Sequence, residues 1–526
     1  MSTDPSDDGP PPPSDHRTIL GNTGQNVLGL GIGAVATFAA QVVLTRKLGD
    51  AGFGVVTLTT QFAFIAAAAT RFGMDVANVR IVAILVGTGS AERSRALVRR
   101  SVGIAAAVSV TVGSAVVLTA PWLAERFTSG AAADAAGDAF RAAGVTIPLV
   151  ALAFTWMGAT RGLKVMRPTL FAQWMAQPIG WIVLMVVFWS WTAAATAAAG
   201  WAFAASWGLA LAIAWFGWEA RARRLRDGPG PAEGIPQERT RALVRFGAIR
   251  APATLFSQLL FWTDLFVLST LMRDEPGGAA QVGVYGAVLR AGQSLFLFLT
   301  SVSLTFSPFV ADLHHRGERD RLDDLYKSVT RWTLTATIPV LLLLGILPGS
   351  VLRVFGEAFT EGDDALRILI VGMIVPVVVG TVGFILIMAG RTGWDLAVYV
   401  ASFAIDVGIA FALARPDVLG IRGAAIAQAL TLSFSAVARL LLVRRFLGIW
   451  PFDADYARLI VPTALGGAAM AGLSVLVPDA RWGVELLVAG GGGALVYTAA
   501  ALTVGISPGE RAALGRLAGR ALGRVR

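Results

Sequence analysis

The chain has 526 residues, of which 55% are hydrophobic and only 15% charged, and it contains no cysteine. This composition excludes a soluble enzyme, and the lack of cysteine excludes disulfides and thiol chemistry. The formal net charge of +10 would suit nucleic acid, but the positions of the basic residues, described below, favour a topology signal instead.

The chain begins with an acidic, proline-rich stretch, MSTDPSDDGPPPPSD. It lacks the basic segment of a signal peptide, so residues 1–20 are predicted to form a disordered cytoplasmic tail that stays uncleaved. Long apolar segments recur from Val27 to Val504, and a run of about 18 such residues can cross the hydrocarbon core of a bilayer. Hydropathy predicts an all-α polytopic membrane protein with about fourteen transmembrane helices, at residues 24–45, 52–72, 101–121, 141–160, 169–190, 194–217, 246–270, 283–309, 330–349, 365–389, 393–414, 420–442, 457–477 and 483–504.

Lysine and arginine are concentrated in the loops on one side of the predicted membrane, notably at 92–100, 161–167, 221–226 and 316–327. Cytoplasmic loops of membrane proteins carry such an excess, so both termini are predicted to be cytoplasmic. The positive charge is therefore a topology signal, and no nucleic-acid partner is expected.

Two short internal matches indicate a parallel repeat. FGVVTL (53–58) resembles VGVYGA (282–287), and GATRG (158–162) resembles MAGRTG (388–393), both with an offset of about 230 residues. An offset that preserves helix direction predicts two parallel bundles, an arrangement in which transporters place a binding site between the halves. The predicted parts are a disordered cytoplasmic tail (1–20), a first lobe of six helices (21–220), a cytoplasmic linker (221–241), a second lobe of six helices (242–450), two further helices (451–506) and a basic amphipathic cytoplasmic tail (507–526).

Several motifs are better explained by helix packing or by exposure to solvent than by a binding or catalytic site. The glycine-rich stretch GLGIGAVA (29–36) lies inside an apolar helix with no strand before it, so it indicates close helix packing rather than a phosphate loop. The acidic pairs at 323–324 and 363–364 lack histidine or glutamate partners at metal-ligand spacing. No metal site, cofactor or catalytic residue is predicted, and no extramembrane segment is long enough for an enzyme domain.

Ionisable side chains inside the predicted spans are the main candidates for function, because each is costly unless it is paired, hydrated or used. Asp264 and Arg290 lie at matching depths on consecutive antiparallel helices, so we expect them to form an ion pair. Amide side chains on the same helices add hydrogen-bonding capacity, with interhelical contacts as their alternative role. The candidate substrate-binding residues are Arg71, Arg250, Asp264, Arg290, Gln25, Asn26, Gln41, Gln61, Gln258 and Gln293.

The other ionisable residues have simpler explanations. Arg71 and Arg250 lie at cytoplasmic ends of their helices, from which each could extend to the lipid headgroups. Glu485 lies near an external end and is expected to be hydrated. Asp406 lies in the middle of a span, and the sequence identifies no partner for it.

Four stretches together resemble the polysaccharide-transport branch of the multidrug/oligosaccharidyl-lipid/polysaccharide flippase superfamily. They occur in order over residues 20 to 450, as LTRKLGDAGFGVVTL (44–58), VGVYGAVLRAGQSL (282–295), FSPFVADLHHRGERDRLDDLYKSVTRW (306–332) and GIRGAAIAQALTLSFSAVARL (420–440). The motifs are more specific for the superfamily than for the substrate.

The resemblance implies a fold and a function. It implies two six-helix lobes around a central cavity with two additional C-terminal helices. It implies movement of a polyprenyl-diphosphate-linked oligosaccharide across the bacterial plasma membrane by alternating access, with cavity arginines at the diphosphate. The partners would be this lipid-linked glycan and membrane lipids, together with a glycan polymerase or synthase. In some relatives the first span carries charged residues, whereas here its polar residues are only glutamine and asparagine. The resemblance therefore does not extend to the coupling mechanism.

Three alternatives remain open. A cation-coupled multidrug exporter of the same superfamily would need a titratable carboxylate in its first lobe, and the first six predicted spans contain none apart from Glu219 at a boundary. A glycan polymerase or ligase would need a large external loop with catalytic residues, and the longest predicted external loops, at 122–140 and 350–364, are short. A scaffold without transport activity would leave the buried charges without a function.

Overall fold

The computed structural model describes residues 15–87, 93–163, 165–225, 240–477 and 482–505. Every regular element within these ranges is a helix, which confirms the predicted fold class. Most of the predicted linker and the predicted C-terminal amphipathic tail lie outside the described residues. The first helix begins at Asp15, so the predicted end of the N-terminal tail at residue 20 was too late. The last proline of the stretch is Pro13, and nothing after it prevents a helix from starting.

The part of the chain before the linker, here called the first half, is built around one long helix, α5. This helix packs against α2, α3 and α8, while α1 lies along both α5 and α8. A wide helical turn at Leu170–Ala176 joins α6 to α7. The helices are α1 (Asp15–Thr70), α2 (Met74–Gly87), α3 (Ser94–Leu118), α4 (Ala120–Phe127), α5 (Ala131–Gly162), α6 (Arg167–Thr169), α7 (Gln177–Trp191) and α8 (Ala195–Ala222).

The first two predicted spans are continuous in α1 except at Gly49, whose backbone is not helical (φ 68°, ψ −170°). Gly52 lies beside Thr196, at the start of α8. Phe64, farther along the same arm of α1, packs against Trp207 of α8, with ring centres 5.4 Å apart. The second arm of α1 therefore runs alongside α8, away from the bend at Gly49. We call the end of the bundle at Gly49 the hairpin end, and the opposite end, at residues 225 and 240, the linker end.

Residues 240–447, here called the second half, contain ten α-helices and two sharp bends. Ala251–Leu259 and Thr263–Leu271 meet at 58°, and the helical segments on either side of Gly380 meet at 45°. Here α15 packs against α18, which also packs against α17. The helices are α9 (Thr240–Leu259), α10 (Thr263–Leu271), α11 (Gly278–Gln293), α12 (Phe296–Arg316), α13 (Arg319–Ile346), α14 (Pro348–Arg353), α15 (Asp363–Val379), α16 (Val382–Met388), α17 (Thr392–Leu413) and α18 (Ile421–Leu447).

The described helices include ten that are long and apolar enough to cross a membrane, or twelve if each bent pair is one span. The predicted number of fourteen is not confirmed. Two predicted spans, which meet at the non-helical Gly49 within α1, count together as one of these helices. The predicted eighth span is divided between α11 and α12.

The two halves of the chain meet where α1 crosses α11. A Cβ atom on Gly54 would lie 2.6 Å from the carbonyl oxygen of Ala279 and 2.8 Å from the amide nitrogen of Gly283. The backbones are therefore in direct contact, which only glycine permits. Gly54 and Gly283 are equivalent positions in the matching stretches found in the sequence, so equivalent positions of the predicted repeat lie in contact.

The last helices form a pair that packs on α13. At the linker end, the Arg331 side chain is 8% exposed and its Nη1 lies 3.2 Å from a carboxylate oxygen of Asp453 and 3.3 Å from one of Asp455. At the hairpin end, Ser350 donates a hydrogen bond to Glu485, which is partly exposed. The helices are α19 (Ile460–Leu476), α20 (Trp482–Glu485) and α21 (Gly491–Ala500).

We predict that Arg331→Ala loosens the attachment of α19 to α13. The substitution leaves two neighbouring carboxylates without their shared cation, and we expect it to lower the free energy of unfolding by about 1–3 kcal/mol. Thermal unfolding in detergent and the rate of proteolysis at the turn before α19 would measure the effect.

Arg458→Ala is the matched control, because this arginine is 41% exposed while its Nε lies 3.2 Å from the same Asp455. Exposed ion pairs contribute about 0–1 kcal/mol. Equal changes in the two variants would contradict an anchoring role for Arg331.

Candidate functional site

The predicted seventh span is interrupted between α9 and α10. The carbonyl oxygen of Leu260, in this break, accepts a hydrogen bond of 3.2 Å from Gln428 Nε2 on α18. Asp264 lies in the first turn of α10, where the helix dipole favours a negative charge. Interrupted helices in transporters present backbone and side-chain groups to a binding site in this way.

Two carboxyl groups are buried together beside this break. Asp264 and Asp406 both have no solvent-exposed surface, and the Asp406 carboxyl lies beside the backbone of Asp264. Tyr285 on α11 donates a hydrogen bond to Asp264, and Thr431 Oγ1 on α18 lies 3.4 Å from Asp406. Two adjacent buried carboxylates cannot both remain charged without a cation or a proton between them. We call these four residues the acidic cluster.

The predicted ion pair between Asp264 and Arg290 is wrong. The Arg290 guanidinium instead lies over the ring of Trp262, 4.8 Å from its centre, and its Nε has no hydrogen-bond partner among the described residues. Trp262 sits in the break between α9 and α10, where the 58° bend turns its ring towards α11. The bend also carries Asp264 to Tyr285, so equal depth along straight helices does not predict which side chains meet.

A second group of charges lies at the linker end of the first half. The Arg71 guanidinium lies 4.7 Å from the centre of the Phe154 ring, and its Nε is 3.5 Å from the carboxylate of Asp75. Arg161, at the end of α5, interacts electrostatically with both Arg71 and Asp75. Two guanidinium groups share one carboxylate here, so the group carries a net positive charge. We call Arg71, Asp75 and Arg161 the basic cluster.

The two halves also touch beside the basic cluster. A Cβ on Gly247 of α9 would overlap the ring of Phe72, the residue after Arg71. Phe72 has a left-handed backbone (φ 53°), which is unfavourable for a bulky residue. Arg250 follows Gly247 by one helical turn, so its backbone lies at the same end of the bundle as Arg71, but its side chain lies outside the described part of the structure.

The predicted amide residues differ in burial. Gln41 and Gln61 are buried, whereas Gln258 and Gln293 are partly exposed. The side chains of Gln25 and Asn26 lie outside the described residues.

A cavity of about 210 Å³ lies between the halves at the hairpin end. It is lined from the first half by Ala51, Gly54 and Phe127, and from the second half by Ser269 and Ala279. None of the predicted binding residues lines it, and it borders the crossing of α1 and α11.

Sequence reasoning missed Tyr285, Trp262, Asp75 and Arg161. Tyr285 and Trp262 are aromatic residues in apolar stretches, where packing is the ordinary expectation. Asp75 and Arg161 lie just outside the predicted spans, so neither was among the intramembrane candidates.

Comparison with protein families finds one match. The family described as polysaccharide biosynthesis protein matches residues 19–314, which is more than half of the 526-residue chain. No curated protein matches the sequence.

Solved structures share the fold at low sequence identity. A structure described as the lipid II flippase MurJ in an inward closed conformation has a TM-score of 0.67 and 12% identity, and the match covers 91% of this chain and 98% of that one. An inward-facing multidrug resistance MATE family transporter of the MOP superfamily has a TM-score of 0.64 and 16% identity, covering 80% and 98%. A MOP superfamily transporter from Pyrococcus furiosus has a TM-score of 0.61 and 15% identity, covering 82% and 96%.

These matches confirm the resemblance found in the sequence. The solved structures have the same fold as this chain, and they include both a flippase and a multidrug transporter. The chain belongs to the polysaccharide biosynthesis protein family and has the fold of the MOP superfamily.

Proposed function

We propose that the protein is a flippase, which moves a polyprenyl-diphosphate-linked oligosaccharide from the cytoplasmic to the external leaflet of the bacterial plasma membrane by alternating access. The observation that carries this proposal is the environment of the Arg290 side chain, which has an aromatic neighbour and no carboxylate partner among the described residues. Its Nε is buried without a hydrogen-bond partner among the described residues, and its guanidinium lies over the Trp262 ring. The residue as a whole is partly exposed, and no charged group in the described part of the chain is paired with it.

A buried cation without a counter-ion is costly, and an anionic ligand would remove that cost. Guanidinium forms paired hydrogen bonds with phosphate oxygens, and a diphosphate offers several such oxygens. Contact with the Trp262 ring stabilises the cation while leaving the edge of its plane for a ligand. Arg290 lies twelve residues from the start of α11, or about 18 Å along the helix, so it is placed to hold a headgroup far from either end of the bundle.

The basic cluster supplies a second site for the same headgroup. In the proposed orientation the linker end is cytoplasmic, which agrees with the arginine-rich loops at that end. Arg71 and Arg161 would then meet the diphosphate as it leaves the inner leaflet, since Asp75 offsets only one of their two charges. The first and second halves would act as the two lobes, 21–220 and 242–450.

The proposed substrate also defines the partners. The polyprenyl tail requires surrounding membrane lipids, and the delivered glycan is a substrate for a polymerase or synthase that joins glycans outside the membrane. The remaining candidate residues, Arg250 and the amides Gln25, Asn26, Gln41, Gln61, Gln258 and Gln293, would contribute hydrogen bonds to diphosphate or sugar.

The alternative function is cation-coupled export of drugs or other small molecules. The acidic cluster favours it, because a buried pair of carboxylates can take up a proton or a metal cation and can also attract a cationic drug. The cluster lies in the second half, however, and Asp75 of the first half is already in contact with Arg71. In a flippase the acidic cluster would couple transport to an ion gradient without contacting the substrate.

We predict that Arg290→Ala lowers the affinity for a polyprenyl diphosphate by about 10- to 100-fold, the value of one lost charge-assisted contact. Arg290→Lys should lose less, because it keeps the charge but not the paired geometry. Binding to the purified protein and transfer of a lipid-linked glycan in proteoliposomes would measure the two effects.

Arg223→Ala is the control for loss of a positive charge, because this side chain is 74% exposed and contacts only Glu219 among the described carboxylates. Unchanged binding and transfer in Arg290→Ala would reject Arg290 as the diphosphate ligand.

A separate prediction concerns the acidic cluster. The double variant Asp264→Asn and Asp406→Asn should bind polyprenyl diphosphate within about twofold of the unmodified protein, because neither carboxylate faces the anion. Its transport should no longer respond to an imposed proton or sodium gradient. Loss of binding to cationic drugs, with no effect on gradient-dependent glycan transfer, would favour the exporter instead.

A further inference from the structure

We propose that the break between α15 and α16 binds an alkali-metal cation, Na⁺ or K⁺, through neutral oxygen atoms, at a site separate from the acidic cluster. The break lies at Gly380 and Thr381, and the helical segments on either side of it meet at 45°. The inference goes beyond the proposed function, because it does not depend on which substrate the protein moves.

The end of α15 presents carbonyl oxygens to the break. The last four carbonyl groups of an α-helix have no partner within the helix. In α15, Pro376 accepts a hydrogen bond of 3.0 Å from the amide of Gly380, and Val379 accepts one of 2.9 Å from the hydroxyl of Tyr326 on α13. The two carbonyls between them receive no hydrogen bond from the described residues. Because the C-terminal end of a helix also carries partial negative charge, it favours a cation.

Three hydroxyl groups at the break lack hydrogen-bond partners. The hydroxyl oxygens of Thr330, Thr381 and Tyr456 are buried, and none of them is hydrogen-bonded within the described part of the chain. Thr330 is 0% and Thr381 1% exposed. Thr381 occupies the N-cap position of α16, yet its side chain makes no capping hydrogen bond. A buried hydroxyl is costly unless it is paired, and a bound ion or water is the usual partner of such a group.

Thr330 lies directly against the break. A Cβ on Gly380 would lie 2.8 Å from Thr330 Oγ1 and 2.5 Å from its Cγ2, and Gly380 has a φ of 73°. Only glycine leaves room for the hydroxyl there. The hydroxyl of Tyr456, in the helical turn Ala454–Leu459 before α19, faces Thr330 from the other side. Oxygen atoms from α13, the break and the start of the C-terminal helix pair therefore converge.

The chemistry of these groups suits a monovalent cation. Carbonyl oxygens can replace the hydration shell of an alkali-metal ion, whereas Ca²⁺ and Mg²⁺ sites depend on carboxylates. The charged groups that act on Tyr456 are Asp453 and Arg331, and these two are paired with each other at 3.2 Å. Interrupted helices in other transporters bind ions through the same features, unwound carbonyls and C-terminal helix ends.

The proposed site differs from the acidic cluster in position and in chemistry. The cluster lies on α10, α11, α17 and α18, whereas the ligands at the break come from α13, the α15–α16 connection and the turn before α19. The cluster offers two carboxyl groups, and the break offers neutral oxygens. A cation at the break would hold the 45° bend and join the C-terminal helix pair to it.

Binding of radioactive sodium and rubidium ions to the purified protein tests the site, with rubidium as the substitute for K⁺. The double variant Asp264→Asn and Asp406→Asn removes the acidic cluster as a competing site. We expect this variant to retain about one bound ion per chain. Adding Thr330→Val, which keeps the shape of the side chain without its hydroxyl, should weaken that binding at least about tenfold.

Thermal unfolding in the same double variant gives a second readout. Replacing choline chloride by NaCl or KCl at equal ionic strength should raise the Tm by about 2–4 °C, because the ion binds only the folded state. Thr330→Val should abolish this rise and lower the Tm measured in the ion that binds. If no cation binds, the same change removes an unpaired buried hydroxyl and should raise the Tm in every salt.

Thr337→Val is the matched control, because Thr337 also lies on α13 and is 0% exposed, but its hydroxyl donates to the carbonyl of Thr333 at 2.7 Å. It should leave the response to salt unchanged, whereas Thr381→Val should behave like Thr330→Val. Equal unfolding in choline, sodium and potassium chloride would show that the break holds only water and would overturn the site. None of these measurements uses a transported substrate, so they remain decisive even if the protein moves no lipid-linked glycan.

Discussion

The direct contact between the backbones of α1 and α11 is the constraint on which the rest of the structure depends. In a membrane, helices gain little from burying apolar side chains against one another, so close approach through glycine is a main source of association. Gly54 and Gly283 provide it where α1 crosses α11, because a Cβ on either residue would overlap the opposite helix. The second arm of α1 and the helix α11 both follow glycines with positive φ, Gly49 and Gly277, so the contact lies close to the start of each.

Around this shared frame the two halves carry different charges. The first half has the basic cluster at its linker end, while the second half holds the acidic cluster and Arg290 near the interrupted seventh span. The interruption separates them: Trp262 turns towards Arg290, and Asp264 turns towards Tyr285. A straight helix would have allowed the opposite charges to cancel. In the proposed flippase, this separation leaves Arg290 for an anionic headgroup and the carboxylates for a coupling ion.

The sequence was sufficient to predict the helical class, the parallel repeat and the family, because apolar length and the glycine-containing matches at 53–58 and 282–287 are local features. It was not sufficient to predict the helix bends. The seventh span reads as one apolar stretch, yet it bends by 58° where Gln428, distant in sequence, satisfies the carbonyl of Leu260. This tertiary hydrogen bond explains why the predicted Asp264–Arg290 pair was wrong and why Tyr285 was not identified as a partner.

The central claim is that the two halves alternate between closing the hairpin end and closing the linker end around a lipid diphosphate. Distances between paired spin labels test it most directly in this cysteine-free chain. One pair, Glu125→Cys with Glu361→Cys, reports on the hairpin end, and another, Arg99→Cys with Arg319→Cys, reports on the linker end; all four positions are exposed. The account predicts that a polyprenyl-diphosphate-linked glycan lengthens the first distance and shortens the second. Distances that stay constant at both ends, or that respond to cationic drugs and not to the lipid-linked glycan, would contradict it.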